Sequence, residues 1–182
     1  MLLTRGASSA VITVALSATV GATQERIWRA LVDPEERSSW DERILGEVSL
    51  SPDSRKARDS RKAEARARSA RSDDPSPLRK NGYRFRLGGI PLVMQEEVVS
   101  ADGHDRVKSR ISIGSLHFDQ TLRLHSEDDE TGPRTRVGMK IVARNSITVI
   151  GEVVPRLDVQ KLVIEYVDAT LRQVQKHCEA DA

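Results

Sequence analysis

The sequence predicts an α+β fold in which a seven-stranded curved antiparallel sheet wraps a long C-terminal helix, with two short helices between the first and second strands. Three observations carry this. From Leu157 to Cys178 apolar residues recur at helical spacing, with Val159, Leu162, Val163, Tyr166, Val167, Thr170, Val174 and Cys178 on one broad arc. Lys161, Glu165, Asp168, Arg172, Lys176 and Glu179 occupy the opposite arc. The second observation is a series of segments that alternate apolar and charged residues, as strands with one wet face do. The third is their order, which leaves the C-terminal helix as the only element long enough to cover the apolar face of such a sheet.

Taken in order, Ile12, Val14, Leu16 and Ala18 alternate with Val11, Thr13, Ala15 and Ser17 in a first strand. The competing reading of this stretch is a signal peptide after Arg5, cleaved near Val20-Gly21-Ala22, which would make the protein secreted or periplasmic. Interruption by Thr and Ser favours the strand and a cytoplasmic chain. Thr23 is placed to cap a helix over Gln24 to Val32, and Asp33-Pro34 starts a second from Pro34 to Trp40. Ile44 to Leu50 is the second strand. Tyr83 to Leu87 and Leu92 to Ser100 flank a Gly88-Gly89 turn, and Asp102-Gly103 marks the next. Val107, Ser109, Ile111 and Ile113 share one face of the following strand. Leu116, Phe118, Leu122 and Leu124 share a face of the next, with Gln120 stranded among them, and Val137, Met139, Ile141 and Ala143 mark the last.

A chain of 182 residues, 38% hydrophobic, suffices for one core, so a single domain is expected over 1–182. Residues 52–80 break the pattern. They repeat DSRKA at Asp53 and Asp59, have almost no apolar side chains, and carry ten basic and five acidic residues. Such a segment cannot offset the entropy of ordering and is expected to be a disordered basic insert between the second and third strands. It is either a tolerated loop insertion or a docking module for an acidic partner or anionic surface. The whole chain is only +2, so the rest is −3, which argues against specific nucleic-acid binding. One cysteine, Cys178, cannot form an internal disulfide, and no stretch outside the N-terminus approaches the length of a membrane span. No large apolar patch demands a dimer, so a monomer is expected.

The motif ITVALSATVGATQERIWRALVDPEERSSW, with Gly21-Ala22, Ile27-Trp28, Asp33-Pro34-Glu35 and Trp40, resembles the START-like or SRPBCC superfamily, in particular its polyketide cyclase/dehydrase type. The resemblance covers the chain outside the insert. It implies a helix-grip fold with a hydrophobic cavity between sheet and C-terminal helix. Members bind lipids, sterols, quinones or polyketides, and a minority catalyse cyclisation or dehydration.

Trp40, Tyr83, Phe85, Met94, Phe118, Gln120, Met139, Leu162, Val163 and Tyr166 are therefore expected to line a ligand cavity, with Gln120 or Tyr166 setting orientation. The alternative is a filled core in which Gln120 bonds to backbone or to a tyrosine. Asn145 could act like Gln120 or close a turn. Among the acids, Glu96 is the candidate catalytic residue. If the face it shares with Leu92, Met94 and Val98 points inward, it is a carboxylate in an apolar cavity, with a pKa expected to rise toward general-acid range. If that face points out, it pairs with Arg84, Arg86 or Arg110. Three readings follow: a binding or transport protein for a small hydrophobic or amphipathic molecule, a polyketide aromatase/cyclase-like enzyme in which Glu96, Tyr83 or Tyr166 moves protons, and a docking module acting through the insert. The four histidines have no metal-ligand spacing; His117 and His125, eight residues apart on one strand face, are expected at the surface, and nothing in the sequence calls for a metal or cofactor.

Overall fold

A computed structural model describes residues 11–50, 79–127, 130, 132–144 and 159–180. Nearly all of the basic insert, and Asn145, lie outside the described residues. The fold is the predicted one. Strands β1 (Val11–Val20), β2 (Ile44–Glu47), β3 (Lys80–Leu87), β4 (Ile90–Asp102), β5 (Arg106–Ile113), β6 (Leu116–Ser126) and β7 (Thr135–Arg144) form one antiparallel sheet in the order β1-β7-β6-β5-β4-β3-β2. Helices α1 (Gln24–Val32) and α2 (Pro34–Trp40) follow β1, and α3 (Val159–Ala180) closes the chain.

Local chemistry explains the joints. The Thr23 hydroxyl accepts from Arg26 N, capping α1. Asp33 ends α1 and begins α2, because its backbone N–H reaches Arg29 O while its carboxylate accepts from Glu35 N and Glu36 N. Pro34 at the first helical position has no N–H to leave unsatisfied. Between β3 and β4, Gly88 and Gly89 take φ of +56° and +79°, a two-residue turn whose left-handed backbone excludes most side chains. Three expected strands differ in length. The second stops at Glu47 instead of Leu50, the third begins at Lys80, the last residue expected in the insert, because Lys80 to Gly82 pair with Gln95 to Glu97, and the fourth reaches from Ile90 to Asp102, absorbing an irregularity between Val98 and Ser100.

The core lies between the sheet's inward face and the three helices. Val107, Ser109, Ile111 and Ile113 of β5 point in, as do Phe118, Gln120, Leu122 and Leu124 of β6 and Val137, Met139, Ile141 and Ala143 of β7. From α3 come Val159, Val163, Tyr166, Val167, Thr170, Leu171, Val174 and Cys178. At 1.5 Å per residue the helix runs about 33 Å, and it packs against β1, β7, α1 and α2. Trp40 is buried and donates from Nε1 to Ala30 O at 2.9 Å, tying α2 onto α1. His177 belongs to the same packing. Its imidazole is half-buried, stacks on Trp40 with ring centroids 6.1 Å apart, and meets Arg26 and Glu36.

Candidate functional site

The ten residues expected at a cavity come together on the inward side of the sheet. All are buried except Leu162, which is partly buried at the margin. At their centre the Tyr166 ring packs edge-on against Phe118 at 5.3 Å and tilted against Phe85 at 6.0 Å. Its hydroxyl donates to Gln120 Oε1 at 3.2 Å, so the stranded amide of β6 is held by a tyrosine from the opposing helix. Met94 and Met139 are fully enclosed nearby.

Sequence reasoning missed the residue that organises this centre. Arg37 of α2 projects into the core and donates from one terminal nitrogen to Glu96 Oε2 at 2.6 Å and from the other to the Tyr166 hydroxyl at 3.1 Å. A cationic side chain in a seven-residue helix, preceded by Glu35 and Glu36, reads as solvated. A signal was present, because Arg37 lies three residues before Trp40 and four before Asp41, and α2 buries Trp40. Burial opposes the charge on Arg37, but Glu96, Tyr166 and Asp41 together overcome it and raise its pKa further.

Glu96 is therefore inward, but its partner is Arg37 and none of the three arginines expected for an outward face. Arg110 instead faces Glu97, on the other side of β4. The carboxylate is buried in an ion pair and is not a lone acid in apolar surroundings. Its backbone pairs with Asn81 on one side and Ile111 on the other. Glu96 also lines an opening of about 240 Å³, solvent included, with Leu31, Val32, Asn81, Val98, Val107, Ser109 and Leu122. The enclosed part is water-sized. Of the candidate site residues read from the sequence, only Glu96 borders this opening.

A second arginine fixes the helix. Arg43, in the turn just before β2, grips Asp41 with two nitrogens at 2.8 and 2.9 Å. It also reaches α3, donating to Tyr166 O at 3.0 Å and Thr170 Oγ1 at 2.7 Å. Its guanidinium lies over the Phe85 and Tyr166 rings at 5.0 and 5.1 Å. Tyr83 completes the group. Burial first, then nearby Glu96 and Glu47, push its phenol well above the ordinary range, with Arg37 acting the other way. Burial likewise raises Tyr166 against the pull of Arg37. Among the described residues, no group of histidine, cysteine and carboxylate side chains could hold a metal ion, and His104, His117 and His125 are exposed. No helix among them is long and apolar enough to cross a membrane.

These features define a helix-grip protein with a polar cluster sunk in an apolar interior. The chain belongs to the family described as polyketide cyclase / dehydrase and lipid transport, whose model matches residues 11–179. Solved structures of the same fold include a START superfamily protein from Mycobacterium smegmatis, 16% identical over 93% of this chain and 99% of that one, with a TM-score of 0.63. Another is the Zhui aromatase/cyclase from Streptomyces sp. R1128, 14% identical over 93% and 94% of the two chains, with a TM-score of 0.69. A protein from Thermus thermophilus is 18% identical over 94% and 99%, with a TM-score of 0.63. A search of curated proteins finds no match.

Proposed function

We propose that the protein binds a small hydrophobic or amphipathic molecule, of the lipid, quinone or polyketide kind, between the inward face of the sheet and α3. The observation that carries this is the run of hydrogen bonds from Arg37 through Tyr166 to Gln120, set among Met94, Phe118 and Met139. Apolar walls with few, fixed polar groups are what an amphipathic ligand needs, since the walls supply affinity and the polar groups set orientation. Each Å² of apolar ligand surface withdrawn from water contributes about 25 cal/mol. Methionines give such a site room to adapt, because their unbranched side chains repack at small cost. Family membership supports the same class of ligand.

The test is native mass spectrometry of the purified full chain, followed by organic extraction and mass analysis of what accompanies it. A co-purifying lipid, quinone or polyketide-like molecule is the expected result. An apo mass, together with no detectable binding of a fatty acid, a quinone and an aromatic ketone in calorimetry, overturns the reading.

One observation favours an aromatase/cyclase-like enzyme in the same place: Glu96, held by Arg37, borders an opening while the Tyr166 phenol lies on the other side of the same arginine. There the site would fold a reactive chain, and Glu96, Tyr83 or Tyr166 would move protons. Under this reading Glu96→Gln abolishes turnover of a polyketide substrate while its affinity is kept. Equal turnover in the variant removes Glu96 from that role.

A further inference from the structure

Two buried polar atoms at this centre have no hydrogen-bond partner among the described residues: Arg37 Nε and the Tyr83 hydroxyl. They belong to one neighbourhood. Arg37 is bonded to Glu96, and Glu96 pairs across the strands with Asn81, two residues from Tyr83 on the same face of β3. Tyr83 in turn feels Arg37 and Glu96 electrostatically. Native interiors rarely leave such groups unmade, because a buried donor without an acceptor keeps its full desolvation cost. Arg37 Nε is only a donor, and the Asp41 carboxylate stands off from it at 3.8 Å while committed to Arg43.

We propose that Arg37 Nε–H and the Tyr83 O–H form the seat for an uncharged carbonyl oxygen, as in a ketone, ester or quinone. The assignment rests on the reading of the protein as an apolar-ligand binder and narrows the polar end of that ligand. Three chemical features select the carbonyl. The neighbourhood holds two donors without acceptors, and a carbonyl oxygen offers two lone pairs and brings no hydrogen of its own. A hydroxyl would add a donor that needs its own acceptor in a buried place. The charges already balance, with Arg37 and Arg43 facing Glu96 and Asp41. A carboxylate or ammonium group would therefore enter uncompensated, at high desolvation cost.

The probes are three naphthalenes of one shape, 2-acetylnaphthalene, 2-ethylnaphthalene and 2-naphthoate, titrated into the full chain by calorimetry. The ketone is expected to bind about tenfold more tightly than either of the others. Tyr83→Phe keeps the ring and should remove most of that advantage, leaving ethylnaphthalene affinity within about twofold. The infrared carbonyl stretch of bound 13C-labelled ketone should fall below its value in hydrocarbon solvent, and by less in Tyr83→Phe. Should that variant fail to fold, the stretch in the unaltered protein decides. Equal affinity for ketone and ethyl compound, with an unshifted stretch, overturns the carbonyl seat and leaves apolar binding standing. The same holds if the naphthoate binds most tightly. If a structural water serves both atoms, Tyr83→Phe destabilises the free protein without changing the order of the probes, and the seat is again refuted. Failure of all three to bind refutes the seat, while the apolar-ligand reading is decided by the co-purification and calorimetry described above.

Discussion

Glu96 and Glu97 are consecutive in β4 and lead opposite lives. Glu96 turns inward, 2.6 Å from Arg37, with the two side chains 9% and 4% exposed. Glu97 turns outward, 3.7 Å from both Lys80 and Arg110, whose side chains are each 64% exposed. The same functional group thus makes one contact in low dielectric and another screened by water. The difference is that the outer pair stabilises little, while the inner one cannot lose a member without stranding a charge.

Removing Arg37 tests this most severely. Arg37→Met should lower unfolding free energy by about 3–5 kcal/mol in urea titration, and Arg37→Met with Glu96→Leu should recover much of the loss. If the single variant is as stable as the parent, the buried pair carries no such penalty. Tyr166→Phe deletes the hydroxyl between Arg37 and Gln120 and should cost about 1–3 kcal/mol in the same assay.

Alkaline titration sharpens the inner side further. The Tyr83 and Tyr166 phenols are raised in the folded state above their ordinary value of 10.0, burial being the largest cause for each. The unfolded chain therefore loses their protons first. Stability should be intact below pH 10 and decline above it, by up to about 1.4 kcal/mol per pH unit for each phenol. Tyr83→Phe should make that decline shallower in urea titrations repeated from about pH 9 upward. The outer side supplies the smallest effect. Glu97→Gln should change stability by no more than about 0.5 kcal/mol, and less in high salt.

The same two glutamates mark how far the sequence was legible. Alternation located the strands and, in β5, β6 and β7, the inward face, because charged and apolar residues separate cleanly there. In β4 both faces carry apolar residues, Met94 and Val98 on one and Val93 and Val99 on the other, so alternation could not choose. Cross-strand register chooses: Glu97 falls opposite Lys80 and Arg110, and Glu96 opposite Asn81 and Ile111. That information is non-local and depends on an irregularity after Val98, which no single segment reveals. Arg37 was hidden for a related reason. Its helix is too short for periodicity to define a face, and its burial follows only from the docking of α2 against the core, where Glu96 and Tyr166 meet it.

Arg43 limits how such a structure can open. Its contacts to Tyr166 O and Thr170 Oγ1 converge on one spot, since the Thr170 hydroxyl itself donates to Tyr166 O at 2.7 Å, and Asp41 fixes the guanidinium from behind. Sliding α3 along its axis, or rolling it, breaks both contacts together, so shear is the costly motion. Tilting about this point strains them least. The middle of α3 is thus a pivot, the one place along the helix that this arginine pins to the chain between α2 and β2.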